Sequence, residues 1–190
     1  MTFLPQFPSE DRREHDDGAV VVIHPAAKRP APPVSASAVA PDLSVTALLR
    51  RQLACQRELC RSLEAIADAL PDNLDTQHTL HVARSIGATI RKAHHFEENT
   101  IFPLLSQHFE KRPELFGTLQ RLHYEHWEDE SFADELCEKL TDYVRRGESS
   151  DAEALGYMLR GFFEGLRRHL AFEEEHVVPL IAELDRSNER

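Results

Sequence analysis

Two stretches of the chain place histidine and glutamate where a helix would otherwise be apolar. His94 to Leu105 reads HHFEENTIFPLL, and Phe172 to Ile181 reads FEEEHVVPLI. His169 and Glu173 stand one helical turn apart on an apolar stripe. His94 stands one turn before Glu97, at i+3, and before Glu98, at i+4. His126, with Glu130 one turn on, adds a third pair. An imidazole and a carboxylate one turn apart on a helix can converge on one metal ion. Such an ion also satisfies a buried carboxylate, which is costly without a partner. Three histidines and two or three carboxylates on inward stripes therefore predict a metal site. The competing reading is a buried salt-bridge network in a purely structural bundle.

The elements that must position these residues are helices. Apolar residues recur at spacings of three and four throughout the chain from Leu43 onward, and no segment there has a period of two. Helix 1 is expected from Ser44 to Leu70, stopped by Pro71. Helix 2 is expected from an Asp75 N-cap to His108. Helix 3 runs from Glu114 to Arg146, loosened at Gly117 and ended by Gly147. Helix 4 opens at a Ser150/Glu153 capping box and carries Leu159, Phe162, Leu166, His169, Glu173 and Val177. Four long amphipathic helices on short loops predict an all-α, up-down-up-down four-helix bundle spanning 43–190. Residues 1–42 are Pro/Ala-rich and read as an irregular arm, with GAVVVI as its one strand-like segment.

The two opening stretches align without gaps, Glu97 on Glu173 and Pro103 on Pro179. This is the pattern of a duplicated helical hairpin whose repeated inward residues share a central site. The repeat partner of His169 is Ala93, so His94 lies one place out of register. Each proline removes a helical hydrogen bond, and kinks are expected about two turns beyond the carboxylates.

The rest of the composition narrows the function. The 190 residues carry a formal net charge of −11, which disfavours nucleic acid and anionic membrane surfaces. There is no membrane-length apolar run and no export signal, so a cytoplasmic setting is expected. The three cysteines read as free thiols, with Cys55 and Cys60 in the core. Trp127, Tyr124, Phe162 and Phe163 are read as packing residues. His78, His81 and His108 are read as surface, His95 as pointing away from the stripe, and His123 and His176 as possible extra ligands. No phosphate-binding glycine loop or nucleophile elbow is present, which gives no ground for a dedicated enzyme.

HLAFEEEHVVPLI resembles the second signature of the hemerythrin-like, or HHE cation-binding, domains. HHFEENTIFPLL resembles the first, and LHYEHWEDE is similar to the Glu-His step that opens the family's third helix. The resemblance covers Ser44 to Leu184. It implies a four-helix bundle around non-haem iron, commonly a di-iron pair, with an open position for dioxygen, nitric oxide or another small ligand. Carried over, His169 and Glu173 match helix 4 and His126 matches helix 3. His94, with Glu97 or Glu98, matches helix 2. The family usually places a histidine on helix 1, where this chain has Gln56. Glu130, His123 or His176 could compensate, or the site could hold a single metal. The alternative reading is a degenerate, metal-poor bundle acting as an interaction or regulatory module, with the arm as its docking segment.

Overall fold

Ser44 opens the first helix, its Oγ accepting from the Ala47 N–H. It satisfies one of the amides that a helix start leaves free. In the computed structural model, which describes residues 44–110, 112–146 and 151–188, α1 runs Val45–Ala69. Asp75 caps α2, Thr76–Phe96, in the same way through the His78 N–H. The N-terminal arm, Gly147 and Ser150 of the expected capping box lie outside the described residues.

The second helix does not run unbroken to His108. After Phe96 the chain makes a π-helical turn, Glu97–Ile101, and continues as α3, Phe102–His108. The Phe102 N–H reaches back five residues to the Glu97 carbonyl. Pro103 gives the reason: it has no N–H, and its ring crowds the carbonyl four residues back. A widened turn relieves both. The irregularity thus begins at Glu97 itself rather than two turns beyond it. Helix α4, Pro113–Arg146, is continuous through Gly117. The last helical stretch is divided into α5, Ala152–His176, and α6, Val178–Asn188. Pro179 falls in the first turn of α6, where its missing N–H costs least. The two prolines of the repeat therefore act differently, one through a π turn and the other through a break at Val177.

α1 packs against α2 and α5, and α4 packs against the same two helices. Polar pairs fix the directions. From α1 to α5 and α6 they step Thr46–Asp185, Arg57–Glu174, Glu64–Arg167 and Asp68–Arg160. From α2 to α4 they step Arg91–Asp134 and then His94–Glu130. Each series rises along one helix and falls along the other, so both pairings are antiparallel. The result is an up-down-up-down four-helix bundle with no strand among the described residues.

The core has two apolar layers. One contains Leu63, Ile86, Ile90, Leu136, Leu159 and Phe162, and the other Leu49, Leu53, Ile101, Leu105, Leu122 and Ile181, all essentially without exposure. Burying one such side chain stabilises the fold by about 1.5–3 kcal/mol. The layers clamp the polar residues between them from both ends. Phe162 and Phe163 are buried as expected, but Trp127 and Tyr124 are not, at 64 % and 57 % exposure. Trp127 directly follows inward-facing His126, and one residue of helix turns it about 100° from the core. Cys60 is buried, whereas Cys55 is exposed; Cys55 precedes inward Gln56 and is turned outward for the same reason.

Candidate metal centre

Between the apolar layers the bundle buries Gln56, His94, Glu97, His126, His169 and Glu173. Glu97, Glu173 and Gln56 are 0 % exposed. One nitrogen each from His94, His126 and His169 lie within 4.8 Å of one another. Donor atoms of Glu97, His126, His169 and Glu173 form a second such group, sharing two histidines with the first. The His94 and His126 rings stack at 3.9 Å between centroids, and Phe102 lies 5.5 Å from His126 on an almost parallel plane.

Local helix geometry explains how the helices deliver these groups. His169 precedes Glu173 by four residues and His94 precedes Glu97 by three, and both spacings place the pair on one face. The register slip in the repeat therefore leaves both histidines inside. It substitutes one permitted helical spacing for the other. Glu97 occupies the interior, with Oε2 3.0 Å from His126 Nε2. Glu98 does not. It lies behind His126, and its Oε1 accepts from Nδ1 of both His126 and exposed His123, each at 2.9 Å. Glu130 is also outside the cluster and accepts from His94 Nδ1 at 3.1 Å. Glu125 stands 3.3 Å and Asp129 3.9 Å from His169 Nδ1.

A carboxylate thus backs every inward histidine. At His94 and His126 the carboxylate hydrogen-bonded to Nδ1 favours the proton there and leaves Nε2 as a lone pair, whereas His169 has its carboxylates nearby without a hydrogen bond. The three Nε2 atoms, and all four oxygens of Glu97 and Glu173, have no hydrogen-bond partner. Buried polar atoms in folded proteins are almost always paired. Here seven nitrogen and oxygen atoms converge without a hydrogen-bond partner. The arrangement fits a cation, which satisfies all of them at once.

The electrostatics agree. Burial, reinforced by Glu173, holds the Glu97 carboxyl well above the usual range. Burial pushes the His94 and His126 imidazoles below theirs. Burial alone would also lower His169, but Glu173, Asp129 and Glu125 together raise it. Burial brings Asp129 up to about 6. Without a cation, the interior therefore favours neutral imidazoles at His94 and His126 and a protonated Glu97, while the carboxylates around His169 incline that ring toward its charged form.

His169 also forms part of the wall of an open groove of about 410 Å³ between α4 and α5, with Glu125, Asp129, Arg121 and Arg168 around it. This groove connects one edge of the cluster to the surface. His78, His81, His95 and His108 are exposed, as is His176, whose ring packs on Phe172. His123 and His176 thus supply no inward nitrogen. The outer partners Glu125 and Asp129 were not identifiable as such from the stripes. The signals were the place of Asp129 beside Glu130 on the helix 3 stripe and the density of acids in EHWEDE, but which histidine they meet depends on a helix pairing that only the structure supplies.

A four-helix bundle with a buried cluster of histidine and glutamate donors is the architecture of a cation-binding helical protein. The sequence model of the hemerythrin HHE cation-binding domain matches residues 46–181, and the chain belongs to that family. Comparisons with curated proteins and with solved structures gave no match.

Proposed function

We propose that this protein is a cytoplasmic non-haem iron protein that binds or senses dioxygen or nitric oxide, or handles iron and redox stress. The observation that carries the reading is the convergence of unpartnered inward lone pairs from His94, His126, His169, Glu97 and Glu173. Those five residues would hold the metal. Imidazole and carboxylate together suit iron among the first-row metals. When bound, iron would supply redox chemistry and a position at which a small ligand can coordinate.

The chain's own residues do the rest. Glu130 and Glu98 orient the imidazoles of His94 and His126 through their Nδ1 atoms, and Glu125 and Asp129 set negative charge beside His169. The two apolar layers exclude bulk water, which strengthens every charge interaction inside. The α4–α5 groove beside His169 admits a molecule of a few atoms. The three imidazoles and two carboxylates come from three helices, since α1 contributes no imidazole. This donor count suits a single iron better than a di-iron pair.

Iron analysis of the purified protein after anaerobic loading, with a visible spectrum before and after azide, tests the reading. Iron bound stoichiometrically, with a new charge-transfer band on azide addition, is expected. His169→Ala should reduce the bound iron severalfold. A chain that takes up no iron under these conditions refutes the proposal and favours a metal-poor interaction module.

A further inference from the structure

We infer that Gln56 recognises a small anionic ligand at the metal centre by donating an amide hydrogen bond to it from the α1 wall. The inference rests on the metal reading above.

Gln56 is fully buried, and neither Nε2 nor Oε1 has a hydrogen-bond partner. Its level in the bundle is fixed by its neighbour: Arg57 bonds Glu174 across the α1–α5 seam at 2.9 Å. Gln56 and Glu173, each one residue inward of that pair, are therefore at the same height. Apart from Thr46 in the first turn, the rest of the inner face of α1 is apolar, with Leu53, Leu59, Cys60 and Leu63 around Gln56. A glutamine kept only for structure would have its amide paired to a neighbour, because an orphaned buried amide is destabilising.

The chemistry of the inner groups separates Gln56 from the others. The three Nε2 atoms and four carboxylate oxygens are all lone-pair donors to a cation. Gln56 brings an NH2 group, with two protons to donate. A cation repels those protons, and an imidazole-rich site has stronger ligands than an amide oxygen. The NH2 group is matched instead to a lone pair carried into the centre by a ligand of the cation. A small anion such as azide has that lone pair, and hydrogen bonds to charged partners are the stronger kind.

The test uses the full-length iron-loaded protein, with azide as the probe. Iron per chain is measured by elemental analysis, and azide affinity by titration of the charge-transfer band. Q56L is expected to keep the wild-type iron content while its azide affinity falls about tenfold, a loss of about 1.4 kcal/mol. Q56E keeps the side-chain length and adds a negative charge, and azide should bind it more weakly still. It also serves if the leucine variant fails to fold. Unchanged azide affinity in either folded variant, with iron retained, overturns the inference and leaves the metal reading standing. Loss of iron from Q56L also overturns it, because Gln56 would then be a metal ligand. A wild-type chain without iron refutes the metal reading itself.

Discussion

Replacing Glu97 with glutamine should reverse its effect on stability depending on whether metal is present. Glu97 is 0 % exposed and faces the second carboxylate, Glu173. Its folded-state pKa is raised, so the protonated acid is the form the metal-free fold prefers. The stabilisation from that form is complete below the unfolded value, and it is lost as pH rises through the folded value. At pH 8 the unfolded chain ionises this group, whereas the metal-free fold must hold it protonated or bear a buried charge with little compensation. The stacked neighbours His94 and His126 are themselves held neutral by burial. Glutamine copies the protonated acid in size and never ionises. Relief of one uncompensated buried charge is worth about 3 kcal/mol, or roughly 6–12 °C in melting temperature for a chain of this size. With metal bound the same substitution removes an anionic oxygen donor, and the loaded protein should melt lower than wild type. Calorimetry of wild type and E97Q, metal-free and iron-loaded, at pH 5 and pH 8, reads all the quantities. In the metal-free series the advantage of E97Q should be largest at pH 8 and shrink toward pH 5. If E97Q instead melts below wild type in metal-free protein at pH 8, the carboxylate has a partner there. His126, 3.0 Å away, would then be protonated, and the reasoning fails.

Two further outcomes test the surroundings. E98Q should weaken metal binding by about 10–100-fold, since its carboxylate orients His126 and raises that ring's basicity. Competition against a chelator reads this, while stoichiometry at saturating metal should hold. Among the thiols, exposed Cys55 should be alkylated at pH 8 in the native protein. Cys60 is buried, with its thiol pushed up to about 11, and should react only on unfolding, as peptide mapping would show.

The bundle was legible in the chain because burial on a helix has a period, and α1, α2 and α5 each keep one apolar stripe throughout. The Asp75 cap was legible because the capping bond spans only three residues. His94, His169, Glu97 and Glu173 stood out as polar residues on those stripes, and His126 on the stripe of α4. The choice between Glu97 and Glu98 was not legible, because both are within a turn of His94. It depends on the π turn and on which face α4 presents. The carboxylates behind the histidines were hidden for a related reason. Glu98 meets His126 across two helices, and no local pattern encodes the register of α2 against α4. Trp127 was misread because its residue type outweighed its position one step off the stripe.

The outer carboxylates have a consequence for charge balance. The inner donors bring two negative charges, from Glu97 and Glu173, and three neutral rings. One divalent ion makes that set electroneutral inside an apolar interior, and a second would leave two positive charges unmatched. Losing an electron would leave the inner set with a single positive charge. Glu98, Glu125, Glu130 and Asp129 lie directly behind the rings to balance it, and three of the four stand within 3.3 Å of an Nδ1 atom. The same carboxylates that orient the histidines would therefore bias a redox-active ion held there, such as the iron proposed above, toward its oxidised state. Neutralising them one at a time should raise the reduction potential stepwise.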